Sequence, residues 1–209
     1  MKKVLSLISL AVLLTACGGE EKKQTQTAKP EVTPAATAPV KTAPPDKAAL
    51  AEEAKTAVQA LAGSLKGELE AAMKAGGPVE AIKVCNTKAP EIAKTVSADK
   101  GLQINRISLK SRNQNNVPNE WQTKVLNDFE AKKAAGEDPA GIAYAEIVGN
   151  EFRFMKAIPT GAVCLNCHGT EISPAVTAKL GELYPNDKAT GFKEGDLRGA
   201  FVVVKALVQ

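Results

Sequence analysis

Histidine is all but missing from this chain of 209 residues: His168 stands alone. That excludes an iron held between two histidines of one chain and leaves no distal histidine for acid–base work. Methionine is scarce. Once Met1 is removed only Met73 and Met155 remain, and none follows them. No large excess of one charge is present. The formal charge of +4 falls to +2 when Lys2 and Lys3 leave, too little to point to nucleic acid. A membrane-length apolar run is lacking, since Val4 to Leu14 is too short for a span. There is no internal repeat and no kinase or other output domain, so any signal has to pass to a separate protein.

What is present begins with an export signal over residues 1–16, basic at Lys2 and Lys3 and apolar after them. Leu14-Thr15-Ala16-Cys17 is similar to the processing site of bacterial lipoproteins. The alternative is an ordinary signal peptide with a cysteine near its cleavage point. The lipoprotein resemblance implies a diacylglycerol on Cys17 and a membrane anchor of two or more chains, which holds stably where one chain does not. Gly18 in place of aspartate points to the outer membrane, with the protein on the periplasmic side. Residues 17–46 are rich in Pro, Thr, Ala and Lys and cannot offset ordering entropy by burial, so they read as a disordered tether. Such a tether averages about 30 Å and reaches ~90 Å when extended.

Residues 47–209 make one domain. Lys47 to Ala75 carry a helical stripe of Leu50, Ala54, Ala57, Val58, Leu61, Leu65 and Leu69. Gly76-Gly77-Pro78 ends that helix and starts a second, running to about Val96 and kinked or split by Pro90. A strand is expected around Leu102 to Ile107, a polar loop over Ser111 to Pro118, and a third helix over Asn119 to Ala135. Gly141 to Val148 and Glu151 to Ile158 read as a hairpin turning at Gly149-Asn150. Pro174 to Leu183 is a short helix and Ala200 to Val208 a final strand. The class is α+β: a long N-terminal helical region, then an antiparallel sheet with flanking helices.

Cys164-Leu165-Asn166-Cys167-His168 is a C-x-x-C-H run, the attachment signal for c-type haem. Two thiols three residues apart can add to the two vinyl groups of one porphyrin, and the next residue then holds the iron. Three alternatives compete. A redox dithiol wants a βαβ setting. A zinc site of Cys85, Cys164, Cys167 and His168 has an awkward neighbour pair in Cys167 and His168. Chance is the third. Export agrees independently with one covalent haem c. Cysteine arithmetic leaves Cys85 over, since Cys17 takes lipid and the motif takes two. Cys85 lies on the apolar face of its helix, where it either packs inertly or points at the iron.

Several spaced segments carry a family resemblance. They are Ala81 to Asn86 with Ala89 to Ala93, Arg106 to Ser108, Ser111 to Asn113 with Asn116 and Pro118, the haem motif with Gly169, and Tyr184 to Ala200. Together, from about Ala49 to the C-terminus, they resemble an uncharacterised c-type haem domain family with a PAS-like fold. That family occurs alone in periplasmic proteins and as the sensing domain of bacterial kinases and chemoreceptors. Gln114 departs from it, standing where proline is common. The resemblance implies that Cys85 is the second axial ligand opposite His168. Arg106, Arg112 and Arg198 are candidates to pair with the haem propionates, because a guanidinium fork matches a carboxylate. Solvated or structural arginines are the alternative. Tyr144, Phe154, Met155 and Tyr184 are candidate pocket residues, or ordinary core.

Two functions follow from that site. A sensor module would respond to redox state or to CO or NO, opening its iron when thiolate leaves, and would signal to a partner protein. A low-potential electron carrier would exchange electrons with a redox partner. A helical-bundle cytochrome is disfavoured, because 41 residues follow His168 and end in strand-forming Phe201 to Val204. No catalytic constellation is visible, so an enzyme is not expected.

Overall fold

The computed structural model describes residues 45–207. The export signal, Cys17 and nearly all of the tether lie outside the described residues.

Helix α1 spans Lys47–Lys100. Asp46 caps its start, the carboxylate accepting from the N–H groups of Ala48 and Ala49 at 2.9 and 3.4 Å. Gly101 ends it in the left-handed conformation at φ 62°. It is not one rod. Gly76 and Gly77 leave helical geometry, and Gly77 at φ 70°, ψ −161° takes a conformation that favours glycine. A straight helix of 54 residues would be ~80 Å long. Instead Ala54, Ala57, Val58 and Leu61 share one core cluster with Val96. The two arms, 47–75 and 78–100, therefore fold back on each other across the glycine pair, the break lying where the sequence led us to expect one helix to end and another to start. Pro90 does not split the second arm, whose backbone stays helical through it.

Strands β1 (Gln103–Ile107), β2 (Ala143–Val148), β3 (Glu151–Pro159) and β4 (Leu197–Ala206) form one antiparallel sheet in the order β1-β4-β3-β2. Alternation splits the side chains between two faces. Phe152, Phe154 and Val203 meet the two arms of α1. Met155, Ala157, Ala200 and Val202 meet Val125, Leu126 and Phe129 of α2 (Glu120–Ala134), which starts in a capping box of Asn119 and Gln122. The β2–β3 hairpin turns at Gly149, φ 58°. Helix α3 is the single turn Leu165–His168, and α4 is Pro174–Leu183. Helix α4 packs Val176 and Leu180 on Ile82 of the second arm. The class is the expected α+β. The last strand begins three residues earlier than composition suggests. The turn-like Leu197-Arg198-Gly199 pairs with β3, and Gly199 passes so close to β1 that a Cβ would lie 2.2 Å from the Ile107 carbonyl oxygen.

Candidate functional site

Strand β3 runs out at Pro159, and the chain turns through Ala162–Cys164 into α3. That short turn sets Cys164, Cys167 and His168 at i, i+3 and i+4, on one face. Gly169 closes it where no side chain fits, since a Cβ there would sit 2.7 Å from the Leu165 carbonyl oxygen. The His168 ring is oriented by its Nδ1, 2.7 Å from the carbonyl oxygen of Ala189. A carbonyl only accepts, so Nδ1 carries the proton and Nε2 keeps a free lone pair. Burial, then the charges of Arg198, Arg112 and Arg106, push the imidazole down to about 2, while the Ala189 bond opposes them. The ring is thus held neutral, the form that ligates iron.

The segment after α4 grips this turn. Gly191 N–H donates to the Gly169 carbonyl and Phe192 N–H to that of His168, both at 2.9 Å. The Phe192 ring stands edge-on to His168 with centroids 6.3 Å apart. Arg112 ties the segment to the motif. Its Nε and Nη2 each lie 3.0 Å from Asp187 Oδ2, and Nη2 also donates to the carbonyls of Cys167 at 2.6 Å and Ala189 at 3.2 Å.

A cavity of about 750 Å³ opens between the motif, β1 and both arms of α1. That is within the range of small-molecule sites, roughly 300–1,000 Å³. Cys164, Cys167 and His168 line one side of it, and Cys85 and Tyr184 also line it. Cys85 is exposed and lines the cavity. Burial pushes its thiol up, and Arg106 and Arg112 pull it back down. Arg106 and Arg198 line the cavity as well. Burial depresses both guanidiniums, and with the charges of Arg112 and Arg106 adding to it Arg198 is pushed down to about 10. Arg198 bonds to Ser108 Oγ and the Lys110 carbonyl and lies 5.2 Å over the Phe192 ring. Among the described residues neither Arg106 nor Arg198 has a carboxylate salt-bridge partner. Half-buried cations lining a mostly apolar cavity suit an anion. A porphyrin is a large apolar plate bearing two carboxylates, so the residues present fit one. They fit zinc less well, because among the described residues no three His, Cys, Asp or Glu side chains converge on one point.

The structure thus brings together Cys85, Cys164, Cys167, His168, Arg106, Arg112, Arg198 and Tyr184. It sends others elsewhere. Tyr144 sits on the α2 side of the sheet, stacked on Trp121 at 6.4 Å, with its hydroxyl bonded to Glu146. Burial and that bond push its phenol up to about 12. Its place in β2 turns it away from the cavity, which corrects its candidacy as a pocket residue. Phe154 and Met155 are fully buried in the two sheet cores and do not line the cavity either. Arg112 is narrowed rather than removed, since two of its three nitrogens are already engaged. Ala189 lies in the Tyr184 to Ala200 segment that carries the resemblance, but its role was not read, because it acts through a backbone carbonyl. Met73 also lines the cavity. The continuation of the Leu65-Leu69 spacing could have flagged it.

A family model, Tll0287-like, matches residues 24–205. The chain belongs to the Tll0287-like family. Among solved structures it is similar to the cyanobacterial haem-protein Tll0287, at TM-score 0.61 and 25% identity, over 79% of this chain and 99% of that one. No curated protein matches it. The haem-domain family expected from the residues and the family found by comparison agree.

Proposed function

We propose that this protein carries one covalent haem c, joined through Cys164 and Cys167, with His168 Nε2 on the iron and Cys85 opposite. The observation that carries the reading is a neutral His168, its Nε2 left free, lining a cavity that also holds two half-buried guanidiniums without carboxylate partners. The similarity to the cyanobacterial haem-protein Tll0287 supports it. When bound, the haem supplies one-electron chemistry and a site for diatomic ligands.

The residues do the rest. Ala189 fixes the tautomer of His168. Arg106 and Arg198 bind the propionates, and Tyr184 bounds the cavity beside Cys85. Cys85 as thiolate is an anionic donor that favours ferric iron, and its departure would open a coordination place. We therefore read the protein as a redox or small-gas sensor module, for CO or NO, that signals to a partner protein. It is not an enzyme on this reading, because its one histidine is committed to the Ala189 carbonyl and the iron. The lipoprotein-like Leu14 to Cys17 supports anchoring by Cys17 at the outer membrane, periplasmic side. A low-potential electron carrier is the second reading. The half-exposed Val117 and Val163 favour it, since they put an apolar rim at the cavity where a redox partner could dock.

Optical and EPR spectra of the haem-loaded protein and of Cys85→Ala test the ligation. A ferric low-spin thiolate signature in the parent that vanishes in the variant is expected. Its absence in the parent, or persistence in the variant, refutes Cys85. Binding of CO by the reduced parent favours the sensor, and a reduced parent whose axial ligands CO does not displace, with fast electron self-exchange, favours the carrier.

A further inference from the structure

The apolar stripe of the first arm changes partner part-way along. Ala54, Ala57, Val58 and Leu61 are buried against the sheet. Leu65, Leu69 and Met73 follow at steps of four, are only half-buried, and line the cavity, Leu65 still touching the sheet cluster as well. Steps of four overrun a 3.6-residue turn by about 40° each, so the stripe rotates off the sheet as it climbs. This upper arm is also weakly built. Gly63 and Gly67 sit within the helix, and a Cβ at either would meet nothing within 4 Å. Packing therefore gives no reason for them, and glycine weakens a helix interior relative to alanine. Gly76 and Gly77 break the helix just beyond. The cavity wall that carries Met73 is bounded by glycine on both sides.

Besides the two motif cysteines, Cys85 and Met73 are the sulfur-bearing residues that line the cavity among the described residues. We propose that Met73 is a second axial donor, taking the place of Cys85 opposite His168 when the iron is reduced. This rests on the haem reading above. A thiolate is anionic and stabilises ferric iron, whereas a neutral, soft thioether suits ferrous iron and raises its potential. The exchange balances with one electron from an outside reductant. The Cys85 sulfur leaves with its bonding pair and takes a proton from water, and Met73 Sδ supplies the replacing lone pair. Cys85 stands on one arm and Met73 on the other, so the exchange draws the glycine-flanked upper arm inward.

The test uses the full-length haem-loaded protein, Met73→Leu, and the pair Gly63→Ala with Gly67→Ala, reduced with dithionite. Covalent haem content is measured first, by pyridine haemochrome. Reduced parent should be low-spin and show a strongly upfield methionine methyl resonance by NMR. Met73→Leu, which conserves volume, should lose that resonance, become high-spin when reduced, and keep the parent's ferric spectrum. If Met73 holds the site about nine-tenths of the time, removing it should tighten apparent CO affinity about tenfold. The double alanine variant should slow the ligand exchange that follows rapid reduction. A haem-loaded parent without the methyl resonance, or a Met73→Leu protein with the parent's ferrous spectrum, overturns the Met73 assignment alone. A parent without covalent haem overturns it together with the haem reading.

Discussion

Arg112 offers the most demanding check on how the motif is held. Its guanidinium reaches Asp187, the Cys167 carbonyl and the Ala189 carbonyl, and both ion-pair side chains are only 11% exposed. Arg112→Ala would strand the Asp187 carboxylate in a nearly dry place. Breaking a buried pair from one side costs about 3–5 kcal/mol, because an uncompensated charge stays behind. For a domain of this size each kcal/mol shifts Tm by roughly 2–4 °C, so Arg112→Ala should melt about 6–20 °C lower. Replacing both partners, as Arg112→Met with Asp187→Leu, removes the stranded charge and should recover much of that loss. Ala189 also orients His168. The haem absorption of Arg112→Ala should therefore change as well, which a merely structural pair elsewhere would not cause. Thermal melts of the three proteins, followed by far-UV circular dichroism and by haem absorbance, read both effects. A loss under about 1 kcal/mol, as for an exposed pair, with an unaltered haem spectrum, would refute the reasoning.

Three further outcomes are expected. Gly169→Ala places a Cβ 2.7 Å from the Leu165 carbonyl oxygen, so it should destabilise by about 1–3 kcal/mol and lower the yield of haem-loaded protein, both read from purified samples. Tyr144→Phe loses only the bond to Glu146 on the α2 side of the sheet, and its haem spectrum should match the parent's. A shifted spectrum would contradict the placement of Tyr144. Asp196 is held below the usual carboxylate range by its bond from Lys133 and by the Lys193 N–H. A depressed carboxyl contributes stability above its unfolded value, near 4, and loses it as pH falls through the folded one. Lys133→Met should therefore flatten the acid limb of stability below about pH 4 in urea titrations, and an unchanged slope would refute it.

Much of this fold was legible because its signals are local. Gly76-Gly77-Pro78 marked the turn between the arms, Gly149-Asn150 the hairpin, and Pro174 the start of α4. The motif residues announced their own chemistry. The misreadings share a cause in tertiary context. Helical spacing cannot say where a stripe leaves the core: Leu65 touches both the core cluster and the cavity, and Leu69 lines the cavity. Strand alternation cannot say which face of the sheet meets the cavity, so Tyr144 was a fair candidate until β2 was seen to turn it toward Trp121. The grip of Gly191, Phe192 and Ala189 on the motif is made by backbone groups across some twenty residues, which no side-chain pattern encodes. Arg198 lay outside the expected final strand, Ala200 to Val208, whereas β4 begins at Leu197 and carries it.

The central claim is that haem is joined to the chain by thioethers at Cys164 and Cys167. Acid–acetone extraction of the purified protein, followed by mass spectrometry of the fragment containing both cysteines, tests it most directly. The haem should stay with the polypeptide, add the mass of one haem to that fragment, and be lost from it in Cys164→Ser with Cys167→Ser. Haem that extracts freely, or a fragment of unmodified mass from haem-replete cells, would contradict the account.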